Sequence, residues 1–199
     1  MTAFLQAHWL DLLTTVLGLA YIILEYRASI WLWAVGFAMQ CLGIVLYYQK
    51  GLYADCGMEF YYLSMTIYGW WHWMHPSKAP SLREGAGDRL ISHFPLRLAL
   101  LWTIITCVAW LSLYVFLSRC TDSTVPLADS FTTALSFVGI WALARKYVEQ
   151  WLIWIVVDVV TCFLYFHKDI PFKASLYALY VIIAIWGYRR WRRMMNEGI

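Results

Sequence analysis

In an almost unbroken apolar run, Trp151, Trp154 and Asp158 stand at i, i+3 and i+7, which places them on one face of a helix. Two broad indole surfaces one turn from a carboxylate suit a flat cation: the rings stack on it and the acid neutralises its charge. A charged Asp at the centre of a membrane helix costs about 2.5–3.5 kcal/mol, so it should face the protein interior and find a partner. Glu59, Tyr62 and Thr66 repeat the same spacing in another apolar run. Neither acid has a Lys or Arg beside it in its run, so each needs a cationic partner, a proton or water. A cationic solute satisfies both most directly. The plainer alternatives are an interfacial anchor for Trp151, a helix-to-helix hydrogen bond for Asp158, and a watery outer mouth for Glu59.

Other chemistry is poorly represented. His72 and His75 stand at i and i+3 and could ligate a metal, but they fall at the end of their apolar run, where an interfacial pair is the simpler reading. No Ser/His/Asp set, HExxH or phosphate-binding glycine loop occurs, so no catalytic residue, metal, cofactor or nucleotide-driven step is expected. The five cysteines (Cys41, Cys56, Cys107, Cys120 and Cys162) lack CxxC spacing and read as small packing residues. No basic stretch interleaved with aromatics suggests a nucleic-acid partner.

These residues must be held by membrane helices. Of the 199 residues, 62% are hydrophobic and 14% charged, and the mean hydropathy is +0.61. Water-soluble domains average about 45–50% apolar and about 25% charged, and one core of this length could not hide such a surplus. Seven spans are expected, at 4–24, 30–48, 52–73, 98–117, 127–144, 151–167 and 172–188, each near the length a bilayer requires. The segment 76–95, with Pro, Gly and charges, reads as a solvated loop. The opening MTAFLQAHWLD lacks the basic region of a cleavable signal and reads as the start of the mature protein.

Eleven Lys and Arg (Arg27, Lys78, Arg83, Arg89, Arg97, Arg145, Lys146, Arg189, Arg190, Arg192 and Arg193) lie on the side of the C-terminus, and four (Lys50, Arg119, Lys168 and Lys173) on the other. The C-terminus is therefore expected in the cytoplasm and the N-terminus outside.

Sliding the chain by 118 positions aligns 11–73 with 129–191 without a gap, with 14 identities in 63 positions. DLLTT faces DSFTT, Trp33 faces Trp151, YYQK faces YFHK, and IYGWWHW faces IWGYRRW. Gln40 faces Asp158, so both copies carry a polar group at one depth. Thr14, Thr15, Thr132 and Thr133 are expected to bond their own backbone or line a helix seam, and Gly69 and Gly187 to admit close helix contact. The expected fold is all-α integral membrane, with seven transmembrane helices as two parallel three-helix repeats joined by a linker helix. The repeats would occupy 1–75 and 119–199, with a cytoplasmic loop and the linker helix in 76–118. Parallel repeats of this kind build transporters with a midplane site between rocking halves.

RKYVEQWLIWIVVD (145–158), DSFTTALS (129–136) and IYGWWHW (67–73) resemble the PnuC family of bacterial vitamin transporters, and the resemblance extends over all seven spans. It implies the three-plus-one-plus-three plan shared with the SWEET sugar exporters. It also implies facilitated diffusion of a vitamin across the bacterial inner membrane, with a cytoplasmic kinase trapping the product by phosphorylation. Trp151 and Trp154 match the family's stacking pair, and Tyr68 with Gly69 matches its YGW element. Nicotinamide riboside carriers of the family carry Asn at the positions of Asp158 and Thr66 and Gln at that of Glu59, so two amides have become acids. Nicotinamide riboside and thiamine, both flat cations, gain from those acids, and neutral riboflavin gains least. The expected binding set is Trp151, Trp154, Asp158, Glu59, Tyr62, Thr66, Gln40 and Tyr68, and the expected substrate is nicotinamide riboside, with thiamine the alternative. A membrane enzyme or a scaffold subunit would be the reading from another class. Exposed apolar surface is normal in lipid, so a homo-oligomer stays open.

Overall fold

The computed structural model describes residues 13, 16–49, 53–75, 91–121, 125–167 and 171–198. The start of the first expected span, Thr14 and Thr15, Lys50, loop residues 76–90 with Lys78, Arg83 and Arg89, and Lys168 lie outside the described residues. Among the described residues seven helices follow one another: α1 (Val16–Tyr26), α2 (Trp31–Gln49), α3 (Tyr53–Met74), α4 (Leu96–Cys120), α5 (Pro126–Ala144), α6 (Gln150–His167) and α7 (Pro171–Glu197). No strand forms among the described residues. Four helices, α2, α4, α5 and α6, are each long and apolar enough to cross a bilayer on their own composition. The chain divides into two compact units, Met1–Arg89 and Leu90–Ile199.

In the first unit α2 packs along α3. Trp33 lies over Gly69, where an added Cβ would stand 2.3 Å from the indole. Gly36 meets Thr66, and Gly43 meets the carboxyl of Glu59. These pairs fix an antiparallel register in which Gln40 falls opposite Tyr62. At the C-terminal end of α3 Trp33 and Trp73 meet edge to face, centroids 5.4 Å apart, an arrangement worth about 0.5–1.5 kcal/mol beyond area burial.

The second unit is a chain of neighbours: α4 on α5, α5 on α6, and α6 on α7. Trp102 packs on Trp141 at 4.4 Å and Trp110 on Phe131 at 5.1 Å, and the Trp110 indole N–H donates to the Leu127 carbonyl. The remainder of α4 is outward and apolar, with Leu100, Leu101, Ile104, Val108 and Leu111 all exposed, as a lipid-facing helix should be. Hydroxyls within the apolar helices are satisfied locally: Thr106, Thr132, Ser136 and Thr161 donate to carbonyls one turn back.

The α1–α2 and α5–α6 corners share one design. Ala28 and Lys146, 118 positions apart, are the two non-glycine residues with positive φ among those described, at 51° and 57°. Ser29 N–H donates to Leu24 O and Ala28 N–H to Glu25 O, while Tyr147 N–H donates to Ala142 O and Lys146 N–H to Leu143 O, all at 2.9 Å. Each corner is thus a Schellman turn closed by a left-handed residue, and the next helix starts within four residues. The second corner has an added brace. Ser92 N–H donates to Lys146 O, Val148 N–H donates to Ser92 O, and Glu149 holds both Phe94 N–H and His93. Ile91 is buried there, while Ser92, His93 and Pro95 at the same end of the expected loop are exposed.

Expected boundaries hold to a few residues except at α7, which runs nine residues past Tyr188. Arginine is a good helix former, so the basic tail continues the helix after the apolar stretch stops. Buried Trp191 ties that extension to α6.

Candidate functional site

On α6, Asp158 is 8% exposed, and the seven residues before it, Trp151 to Val157, are all apolar. Across from it on α7, Tyr180 lies within electrostatic reach of the carboxylate. Among the described residues the carboxylate has no ion-pair partner. One turn toward the α6 N-terminus, Trp154 lays its ring over Gly139 of α5, and its indole N–H is buried without a hydrogen-bond acceptor. One turn the other way, Tyr177 meets Tyr180 edge to face at 5.7 Å and stacks on Tyr165 at 5.4 Å. An acid flanked by an indole and a file of phenols can receive a flat, positively charged ring: the faces stack, the carboxylate balances charge, and the hydroxyls and indole N–H give directional bonds.

Trp151 is placed differently from Trp154. It is 1% exposed, wedged over Gly187, where an added Cβ would lie 2.6 Å from the ring, and edge-on to Trp191 at 5.8 Å. It forms a floor one turn below Trp154, and its indole N–H also lacks a partner.

The first unit gathers Glu59, Tyr62 and Thr66 on the α3 face that meets α2, and Gln40 falls within the same seam. Glu59 closes on Gly43, where an added Cβ would stand 2.7 Å from its carboxyl carbon. Thr66 is fully buried beside Gly36. Tyr68 does not join them. It points around the helix and stacks on His72 at 5.4 Å. His75 bonds the Trp71 carbonyl, and no cluster of metal-ligating side chains forms among the described residues.

Four residues escaped the sequence reading. Tyr180 was within reach of it, because it is the repeat partner of Tyr62 in the alignment. Glu25 is buried at the end of α1, and Tyr21, one turn earlier, feels both it and Tyr62. Gln150 is fully buried with both amide atoms unpartnered, where the first unit has Leu32. Nothing in local sequence marks these last three.

The described residues build a seven-helix, all-α membrane fold whose units bury acids among aromatic rings. The family model described as nicotinamide mononucleotide transporter matches residues 8–193, and the chain belongs to that family. It is a multi-pass membrane transporter of vitamins and not an enzyme. The chain is 26% identical to the riboflavin/roseoflavin transporter RibM of Streptomyces davaonensis, over 92% of its length and 84% of the relative's. It is also 26% identical to the nicotinamide riboside transporter PnuC of Escherichia coli, over 95% of this chain and 87% of that one. A crystal structure of the vitamin B3 transporter PnuC superposes with a TM-score of 0.73 at 22% identity, covering 99% of this chain and 86% of the other, so the fold is shared.

Proposed function

We propose that this transporter carries nicotinamide riboside by facilitated diffusion across the bacterial inner membrane, its C-terminus in the cytoplasm, and that a cytoplasmic kinase traps the vitamin by phosphorylation. In this reading the chain forms two parallel three-helix repeats, and Trp154, Asp158, Glu59, Tyr62, Thr66 and Gln40 contact the solute, joined by Tyr180. Trp151 underpins Trp154, and Tyr68 is tied to His72. The observation that carries the reading is Asp158, a carboxylate buried in an apolar helix between an indole and a tyrosine file. A buried acid without an ion-pair partner is costly unless a cation, a proton or water meets it, and a cationic solute would supply the charge directly. Thiamine, also a flat cation, meets the same requirement.

Neutral riboflavin is the second reading, favoured by the equal similarity to RibM. The purified chain in detergent, titrated calorimetrically with nicotinamide riboside, thiamine and riboflavin, separates them. Binding of a cation tighter than riboflavin is expected, and a clear preference for riboflavin would refute the charge argument. In proteoliposomes the labelled vitamin should equilibrate without ATP or an ion gradient, and accumulation above equilibrium would rule out passive transport.

A further inference from the structure

The two units fill one slot with rings from different helices. In the second unit an aromatic comes from the second helix of the repeat: Trp154 of α6 lies over Gly139 of α5, its ring 3.2 Å from where a Cβ would stand. In the first unit the aligned positions are exchanged. Position 36, aligned with 154, is glycine, and position 21, aligned with 139, is tyrosine. The Tyr21 ring of α1 lies over Gly36 of α2 at the same 3.2 Å, and Thr66 of α3 closes the other side at 3.5 Å. The slot is conserved in shape while ring and notch have traded helices. Tyr21 also feels the hydroxyl of Tyr62, the residue opposite Gln40, just as Trp154 stands one turn from the Asp158–Tyr180 layer.

We infer that Tyr21 is a specificity-determining ring of the first unit, the counterpart of Trp154, positioned by the Gly36 notch to contact a flat heteroaromatic solute. The inference rests on the vitamin-carrier reading above. It explains why the first unit has no Trp at position 36 although the surrounding turns and indole pairs repeat. A face of this kind discriminates by ring size, since a three-ring solute offers more stacking surface than a single pyridinium.

The test compares Tyr21→Leu, Tyr21→Phe and the transposed double variant Tyr21→Gly/Gly36→Trp in the full-length protein. Leucine keeps apolar volume over Gly36 but removes the flat face, so a packing role would move little. Binding of nicotinamide riboside, thiamine and riboflavin is read by calorimetry and folding by thermal denaturation in detergent. Tyr21→Leu is expected to weaken binding about tenfold and to change the ratio of affinities among the three vitamins, while Tyr21→Phe stays within about threefold of the parent. The double variant should fold and recover most of the affinity.

Parental affinities and ratios in a folded Tyr21→Leu would overturn the inference while leaving the vitamin reading intact. If Tyr21→Leu unfolds, the double variant decides. Recovery of fold and binding upholds the inference, and recovery of fold alone, or of neither, overturns it. A parent that binds none of the three vitamins defeats the vitamin reading first, and this inference with it.

Discussion

In the α2–α3 hairpin the carboxylate belongs to the second helix, as Glu59, whereas in α6–α7 it belongs to the first, as Asp158. The frames around them match closely. Trp33 over Gly69 with Trp73 at right angles is repeated by Trp151 over Gly187 with Trp191. The thiol contact repeats too, with its direction reversed: Cys56 donates to Ile44 O, and Cys162, aligned with Ile44, donates to Ala174 O, aligned with Cys56. The tryptophan–glycine end of each hairpin has kept its residues, while the layer between has exchanged Gln40 for Asp158, Glu59 for Tyr177 and Thr66 for Ala184. Frame and middle therefore answer to different demands. The frame holds two helices in register, and in the function proposed above the middle meets a solute that is not itself two-fold symmetric.

That division can be broken first at the frame. Gly69→Ala and Gly187→Ala each drive a methyl into a buried indole, and each should destabilise the protein by about 3 kcal/mol. Thermal denaturation in detergent checks both, and a mild effect at one of the two would mean the frames are not equivalent. Next comes the middle. Trp154→Ala should weaken solute binding by about 1–3 kcal/mol, and the emptied space over Gly139 should also lower thermal stability. Asp158→Asn should weaken binding of cationic vitamins about tenfold, near 1.4 kcal/mol, and leave riboflavin nearly unchanged. Equal losses for charged and neutral solutes in calorimetry would assign Asp158 a packing role.

Smaller effects sharpen the comparison at the corners. Glu149→Ala removes the acceptor of Phe94 N–H and the partner of His93 and should cost about 1 kcal/mol, since it leaves a part-buried amide unpaired. Ala28→Gly and Lys146→Gly relieve a left-handed conformation and should each stabilise by about 0.5–1 kcal/mol. A gain at Ala28 without one at Lys146 would show that the buried Lys146 side chain contributes contacts of its own.

Much of this was legible before any coordinates. Composition alone demands a lipid solvent, because a chain so apolar has no other way to satisfy its surface. Hydropathy and loop chemistry place the described helix ends to within a few residues, the C-terminus of α7 excepted, since breakers and charges must sit where backbone leaves the bilayer. The offset of 118 positions pairs Trp33 with Trp151 and Gly69 with Gly187, and hence foretells that one clamp is built twice. Helical spacing puts Glu59, Tyr62 and Thr66 on one face, because a 3.6-residue turn leaves no alternative. What only tertiary packing decided is which neighbour each side chain meets. Periodicity is a property of one helix, whereas the partner across a seam depends on the register between two. So Tyr68 left the expected set for His72, Trp151 became a floor, Tyr180 arrived opposite Asp158, and Tyr21 filled the notch at Gly36, a contact spanning α1 and α2 that no spacing within one helix encodes.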